Sequence, residues 1–307
     1  MKQKIFTFLL IAATGLTACK KNTDNQPDIR EYDQQQIQAY ISANGLTDFS
    51  QDTTKDGTGT TGMYYKIITQ GSGDTLKYAD RISMVYTLKT LDGKYVSSDT
   101  ITNHLYEYLG HLVNDNLPQG LQLAVHNLLQ HKGASMRVLI PSRLAYGQKG
   151  YGSGSITNVN TRIGGNQSLD YYVHVIADQE VYDDKVINNY IAANNLTGYT
   201  KDPLGYYYKI TTPGTGPEGG ISEFSNVDLT YKGTLLNGST FDESTTAITF
   251  TPYSVIEGLG SALQKYGVKG ASISMLIPSA LGYGTAARDL IPSNSILKYD
   301  FQITDIK

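Results

Sequence analysis

The chain is written twice. Ile37-Gln38-Ala39-Tyr40-Ile41-Ser42-Ala43-Asn44-Gly45-Leu46-Thr47 returns as Ile187-Asn188-Asn189-Tyr190-Ile191-Ala192-Ala193-Asn194-Asn195-Leu196-Thr197. Gly62-Met63-Tyr64-Tyr65-Lys66-Ile67 returns as Gly205-Tyr206-Tyr207-Tyr208-Lys209-Ile210, and Leu139-Ile140-Pro141-Ser142 as Leu276-Ile277-Pro278-Ser279. The pieces keep their order, so the chain is a tandem duplication, and its 307 residues suffice for two domains that each bury a core. Whatever fold one copy adopts, the other must reach from nearly the same local instructions.

Each copy opens with an amphipathic helix, because Ile37, Tyr40 and Ile41, like Ile187, Tyr190 and Ile191, fall at i, i+3 and i+4. Asp33 and Asp183 read as N-caps, and Gly45 and Asn195 as stops. A polar linker follows, long at 50–61 and short at 200–203. A strand at 205–211, a Gly/Pro loop at 213–220, and alternation of Val227, Leu229 and Tyr231 with polar partners come next. Asn237-Gly238 and its counterpart Asp92-Gly93 signal hairpin turns. Over 254–266 the period becomes helical through Val255, Ile256, Leu259, Leu263 and Tyr266, although Gly258 and Gly260 are poor helix formers. Gly258 is expected to admit a close neighbour at the helix start. Alternation resumes at Ala271–Ile277, and again at Leu297, Tyr299, Phe301 and Ile303. Several strands and one helix without βαβ alternation give an α+β fold, an antiparallel sheet wrapped on one amphipathic helix and preceded by a short extra helix, twice over.

The first residues have another task. Lys2 and Lys4 precede an apolar run from Ile5 to Ala13 that is too short to cross a bilayer. Leu16-Thr17-Ala18-Cys19 then matches a lipobox, and Cys19 is the sole cysteine of the chain, so no intramolecular disulfide can form. The expectation is a lipoprotein signal peptide at 1–18, lipidation of Cys19, a polar tether at 19–30, a first domain at 31–178 and a second at 179–307 with its core at 205–307. Acyl chains on Cys19 would hold the protein at a membrane, since each buried methylene contributes about 0.8 kcal/mol. Net charge of −3 supplies no footprint for nucleic acid.

Residues 227–301 carry one ordered constellation: Tyr231, Phe241-Asp242, Val255-Ile256-Glu257-Gly258-Leu259, Ile277-Pro278 leading to Tyr283-Gly284, Leu290-Ile291-Pro292, and Leu297 to Phe301. In this order and spacing it resembles an FKBP-type peptidyl-prolyl isomerase domain, a likeness that covers nearly all of 205–307. The tandem arrangement behind a lipobox is similar to exported lipoproteins of this family from Bacteroidota-type bacteria. The resemblance implies a pocket with Tyr231 and Phe241 as walls, Asp242 beside them, Val255, Ile256 and Leu259 as floor, and Ile291 and Tyr299 closing it. Tyr283 and the Ile256 N–H would be the donors, and Asp242 and Tyr283 the catalytic pair. Leu259 and Tyr299 depart from the family's usual Trp and Phe, which puts binding of large macrolides in doubt.

Such a site needs neither metal nor cofactor. Rotation about an X-Pro amide has a barrier of about 18–20 kcal/mol because resonance is lost in the twisted state. A dry cup with a few donors favours that state, and each tenfold acceleration takes about 1.4 kcal/mol of differential binding. Singly, Phe241, Val255, Ile256 and Tyr299 also read as core, and Asp242 as a turn residue.

The first copy keeps Tyr86, Gly120, Leu121, Ile140-Pro141, Tyr146-Gly147, Ile163 and Tyr171, but Val96 and Ser97 stand for Phe241 and Asp242, and Leu117-Pro118 for Val255-Ile256. Pro118 has no N–H to give. An enlarged loop at 151–168 replaces the Ile-Pro pair with Ile163-Gly164. This copy is expected to isomerise little and to act as a binding arm, spacer or dimerisation surface. All five histidines lie in it without metal-ligand spacing, His126 and His131 being five apart. The expected function is a lipid-anchored prolyl isomerase of the cell envelope, with the outer membrane preferred, acting on proline-containing segments of exported proteins. A non-catalytic chaperone with two binding cups, or a lipoprotein that kept only the fold, are the alternatives.

Overall fold

The computed structural model describes residues 28–307 except 56, 58, 156–159 and 217; the expected signal peptide and the expected lipidation site Cys19 lie outside the described residues. The first sheet comprises β1 (Ser50–Gln51), β2 (Tyr64–Thr69), β3 (Arg81–Thr90), β4 (Val96–Ser97), β5 (His104–Tyr108), β6 (Ser135–Ile140) and β7 (Leu169–Ile176). Its order is β1-β2-β6-β7-β3-β4, with β5 also on β3. The second comprises β8 (Thr200–Lys201), β9 (Tyr207–Thr212), β10 (Val227–Leu235), β11 (Thr240–Phe250), β12 (Ser272–Ile277) and β13 (Leu297–Ile306), ordered β11-β10-β13-β12-β9-β8. Both have the same antiparallel topology, as a duplication requires.

Helix α1 (Ile29–Ala43) leads the first copy and α3 (Gln179–Ala193) the second; α2 (Gln119–Ala124) and α4 (Glu257–Tyr266) are the helices the sheets wrap. Leu259, Ala262 and Leu263 of α4 join Val227, Leu229, Ile273, Met275 and Tyr299 in one core. The leading helices form separate small cores, Ile37 with Tyr64 and Leu139, and Ile187 with Tyr207, Leu276 and Ile296.

The close approach at Gly258 is present: a Cβ there would sit 2.7 Å from Ile277 Cγ2. Gly260 has a like reason, since its Cβ would meet the Pro252 carbonyl at 2.4 Å. The helix itself begins later than periodicity suggests. Residues Pro252–Ser254 make one 3-10 turn closed by a capping box between Thr251 and Ser254, and Val255 and Ile256 are extended.

Two readings need correction. Asp33 and Asp183 do not cap their own helices, which start earlier and are capped by Asp28 and Asp178. Both are buried in mid-helix. Asp183 Oδ2 accepts the Ser279 N–H at 2.7 Å and Asp33 Oδ2 the Arg143 N–H at 3.2 Å. They cap the 3-10 turns that follow each Ile-Pro, Ser142–Leu144 and Ser279–Leu281, and so tie each leading helix to the segment carrying Tyr146 or Tyr283. His104, one of the five histidines of the first copy, is 9% exposed. Burial depresses its pKa to about 4.

Where β11 is continuous, the first copy is broken between β4 and β5. The interruption reaches the other domain: Asn237 Nδ2 donates to Asp99 Oδ2 at 2.5 Å, and Ile101 packs against the second copy's cores. Asn294 Nδ2 donates to Ser83 Oγ at 3.0 Å beside it, and Ser83 Oγ donates to Gln179 Oε1 at 2.6 Å. An eroded pocket strand has become a docking element.

Candidate active site

Strand alternation alone would send Phe241 and Asp242 to opposite faces of β11. A register shift between Gly233 and Thr234 breaks the pattern at this point of the β10–β11 pair, and such bulges re-aim side chains. Gly233 is needed there, because a Cβ would lie 2.5 Å from Phe241 Cε2 and 3.2 Å from Tyr299 Cε1. The Phe241 ring stands edge-on to Tyr299, with centroids 5.5 Å apart. In the first copy Ser97 pairs with Leu88 as Asp242 pairs with Gly233. A leucine side chain now stands where Phe241 would need the space.

The second domain holds a cavity of about 450 Å³ lined by Tyr231, Asp242, Val255, Ile256, Leu259, Tyr283 and Tyr299, together with Leu229, Phe250 and Arg288. Phe241 and Ile291 do not line it. Phe241 packs edge-on against Tyr299, and Ile291 is 6% exposed within the core. Phe250 and Arg288 escaped sequence reasoning, although the aromatic at the end of β11 was visible. Phe250 meets Tyr231 edge-on at 5.7 Å.

The polar groups of the cavity divide into spent and open ones. The Tyr231 hydroxyl donates to Asp242 Oδ2 at 2.8 Å. Burial and this carboxylate push the Tyr231 phenol up to about 12, so it stays a neutral donor fixed on Asp242. The Ile256 N–H precedes the first turn of α4, and among the described residues it has no hydrogen-bond partner. Tyr283 sits on the turn that Asp183 caps, with the Arg288 guanidinium 4.7 Å from its ring centroid. Burial, and next the nearby Tyr283, raise the Tyr299 phenol far above its ordinary value. The result is an apolar hollow that holds a carboxylate hydrogen-bonded to Tyr231, the Tyr283 phenol and one backbone donor, a set suited to holding a carbonyl rather than attacking it.

The first copy's equivalent place differs in each donor. Pro118 replaces the N–H, as N-cap of α2. The Tyr146 hydroxyl donates to the Asn116 carbonyl at 3.1 Å, and Tyr151 stacks on the Tyr146 ring at 4.7 Å. Tyr86 and Tyr171 fill the interior with centroids 5.9 Å apart, and burial raises the Tyr86 phenol to about 12. Tyr171 is fully buried, and among the described residues its hydroxyl has no hydrogen-bond partner.

Two wrapped antiparallel sheets, the second with an aromatic-lined hollow at its helix start, define the class of these domains. The family model for "FKBP-type peptidyl-prolyl cis-trans isomerase" matches the chain twice, over 73–176 and 220–304, more than half its length, and the chain belongs to that family. The curated "FKBP-type peptidyl-prolyl cis-trans isomerase FkpA" of Buchnera aphidicola subsp. Schizaphis graminum is 39% identical over 119 residues, 37% of this chain and 46% of that protein. The Escherichia coli K12 protein of the same name is 34% identical over 113 residues, 36% of this chain and 41% of that one. The crystal structure of FkpA from Escherichia coli matches at 30% identity and TM-score 0.38, covering 43% of this chain and 60% of that chain. The chain thus spans about half the length of the curated relatives it matches.

Proposed function

We propose that the second domain catalyses cis–trans isomerisation of prolyl bonds in polypeptide segments, and that the first domain does so little or not at all. The observation that carries this reading is the placing of two donors, the Tyr283 hydroxyl and the Ile256 N–H, at an apolar hollow beside the Tyr231–Asp242 pair. A planar X-Pro amide is a resonance hybrid with charge separated onto its oxygen, and twisting removes that separation. The ring walls of Tyr231, Phe250 and Tyr299 disfavour the more polar planar form, while Tyr283 and Ile256 hold the carbonyl as it swings. Asp242, through its bond with the Tyr231 hydroxyl, fixes the wall facing that carbonyl. No covalent step is involved.

Peptide exchange spectroscopy with the full chain tests this. Tyr283→Phe and Asp242→Ala should each lower kcat/KM on an apolar-X-Pro peptide by about tenfold or more, the loss of one aimed hydrogen bond. The double variant reports what the first domain contributes; turnover near that of the parent protein would move the activity to the first domain and overturn the assignment. A parent protein that binds such peptides without accelerating exchange would favour the chaperone reading.

The setting is also proposed. The lipobox at Leu16–Cys19 supports lipid anchoring in the cell envelope, with the outer membrane preferred and unfolded exported proteins as clients. Among the described residues no helix is long and apolar enough to cross a membrane. Palmitate labelling of the full chain and of Cys19→Ser separates anchored from free protein: label in the former alone supports the anchor.

A further inference from the structure

Arg288 lines the cavity, yet neither the two donors nor the carboxylate pair makes use of it. A short turn holds it, in which the Arg288 N–H donates to the Ile291 carbonyl and the Ile291 N–H to the Arg288 carbonyl, both at 2.8 Å. Ile291 is anchored in the core, so the position of residue 288 over the Tyr283 ring is built in. The first copy supplies an internal comparison. Tyr151 follows Tyr146 by the same interval as Arg288 follows Tyr283. Its backbone exchanges the same two bonds with Ile163, at 2.9 and 2.8 Å. Its ring also lies 4.7 Å from the pocket tyrosine, stacked at 19°. The duplicated fold therefore keeps one seat over the pocket tyrosine and changes its occupant, a neutral ring in one copy and a guanidinium in the other.

Among the described residues no carboxylate stands within ion-pairing distance of the Arg288 guanidinium, whose contact is with the face of Tyr283. An arginine stacked on a ring keeps its in-plane N–H fork free for a planar anion. The cavity's own carboxylate, Asp242, is held by Tyr231 on the β10–β11 side. We infer that residue 288 sets which prolyl segments the second domain prefers, and that Arg288 makes the preferred class those with an aspartate or glutamate next to the proline. This inference rests on the isomerase reading above.

The test measures catalysed exchange and Kd for peptides carrying Glu, Gln or Lys immediately before, and in a second set immediately after, the proline. The full chain is compared with Arg288→Gln and Arg288→Tyr, the latter installing the first copy's residue. In one of the two sets Glu should exceed Lys by about tenfold at low salt, an attraction exchanged for a repulsion at a partly exposed site. The ratio should shrink at high salt and fall to within about twofold in both variants. A loss of rate shared equally by all peptides would make Arg288 a mere support for Tyr283 and overturn the inference. So would an equal Glu and Lys rate in the parent protein. Absence of turnover with every peptide sinks the isomerase reading instead, and the Glu-to-Lys preference is then judged from Kd in the same titrations.

Discussion

Asp183 offers a sharp test of how the leading helix supports the site. Its carboxylate accepts the Ser279 N–H at 2.7 Å and the Gln179 side-chain amide at 2.7 Å, with both Asp183 and Ser279 1% exposed. Asp183→Ala leaves the Ser279 N–H unpaired in a dry place and should cost about 3 kcal/mol, the range for a lost bond to a charged group. Asp183→Asn retains an acceptor oxygen and should stay within about 1 kcal/mol of the parent protein near pH 5. The pH dependence has a definite sign. Burial, the largest influence, raises the Asp183 pKa above 3.8. Its contribution is fully present below that unfolded value and is lost as pH rises through the folded one. Asp183→Asn does not titrate, so it should gain on the parent protein as pH climbs above about 4. Denaturant unfolding at several pH values, with hydrogen exchange at the Ser279 amide, measures both effects. An Asp183→Ala protein whose Ser279 amide stays fully protected would refute the capping role, and so would Asp183→Asn losing as much as Asp183→Ala.

Gly258→Ala should destabilise by about 1–2 kcal/mol although alanine is the better helix former, because its Cβ would lie 2.7 Å from the fully buried Ile277; a stabilised variant in denaturant titration would contradict the packing. Ile101→Ala should loosen the two domains by about 1–2 kcal/mol, since a half-buried side chain leaves the second copy's cores. It should split a single calorimetric transition into two, whereas an unaltered single transition would argue that Ile101 is not the link.

Much of this was legible because the duplication forces it. Repeats at 37–47 and 187–197 locate the leading helices, Asp92-Gly93 and Asn237-Gly238 locate the hairpins, and alternation locates β10, β12 and β13. Local pattern failed where partners are remote. An aspartate ahead of a helical stripe reads as an N-cap, and nothing near Asp183 announces that Ser279 will need its oxygen. Phe241 reads as a cavity wall, but its packing against Tyr299 depends on a bulge and on a glycine in the neighbouring strand. The stretch between β4 and β5 read only as an eroded pocket, because the surface it docks on belongs to the other copy. Arg288 carries no local signal, because the seat it shares with Tyr151 is defined only once the fold brings each against its pocket tyrosine.

The central claim is that the hollow beneath Tyr283 is where a prolyl bond turns. Two-dimensional exchange NMR of a proline peptide with the isotope-labelled full chain reports rate and place together. The account predicts cis–trans cross-peaks that grow at substoichiometric protein, with shift changes centred on the Ile256 and Tyr283 amides. Accelerated exchange with shifts confined to the first domain, or shifts at Ile256 and Tyr283 without any exchange, would contradict it.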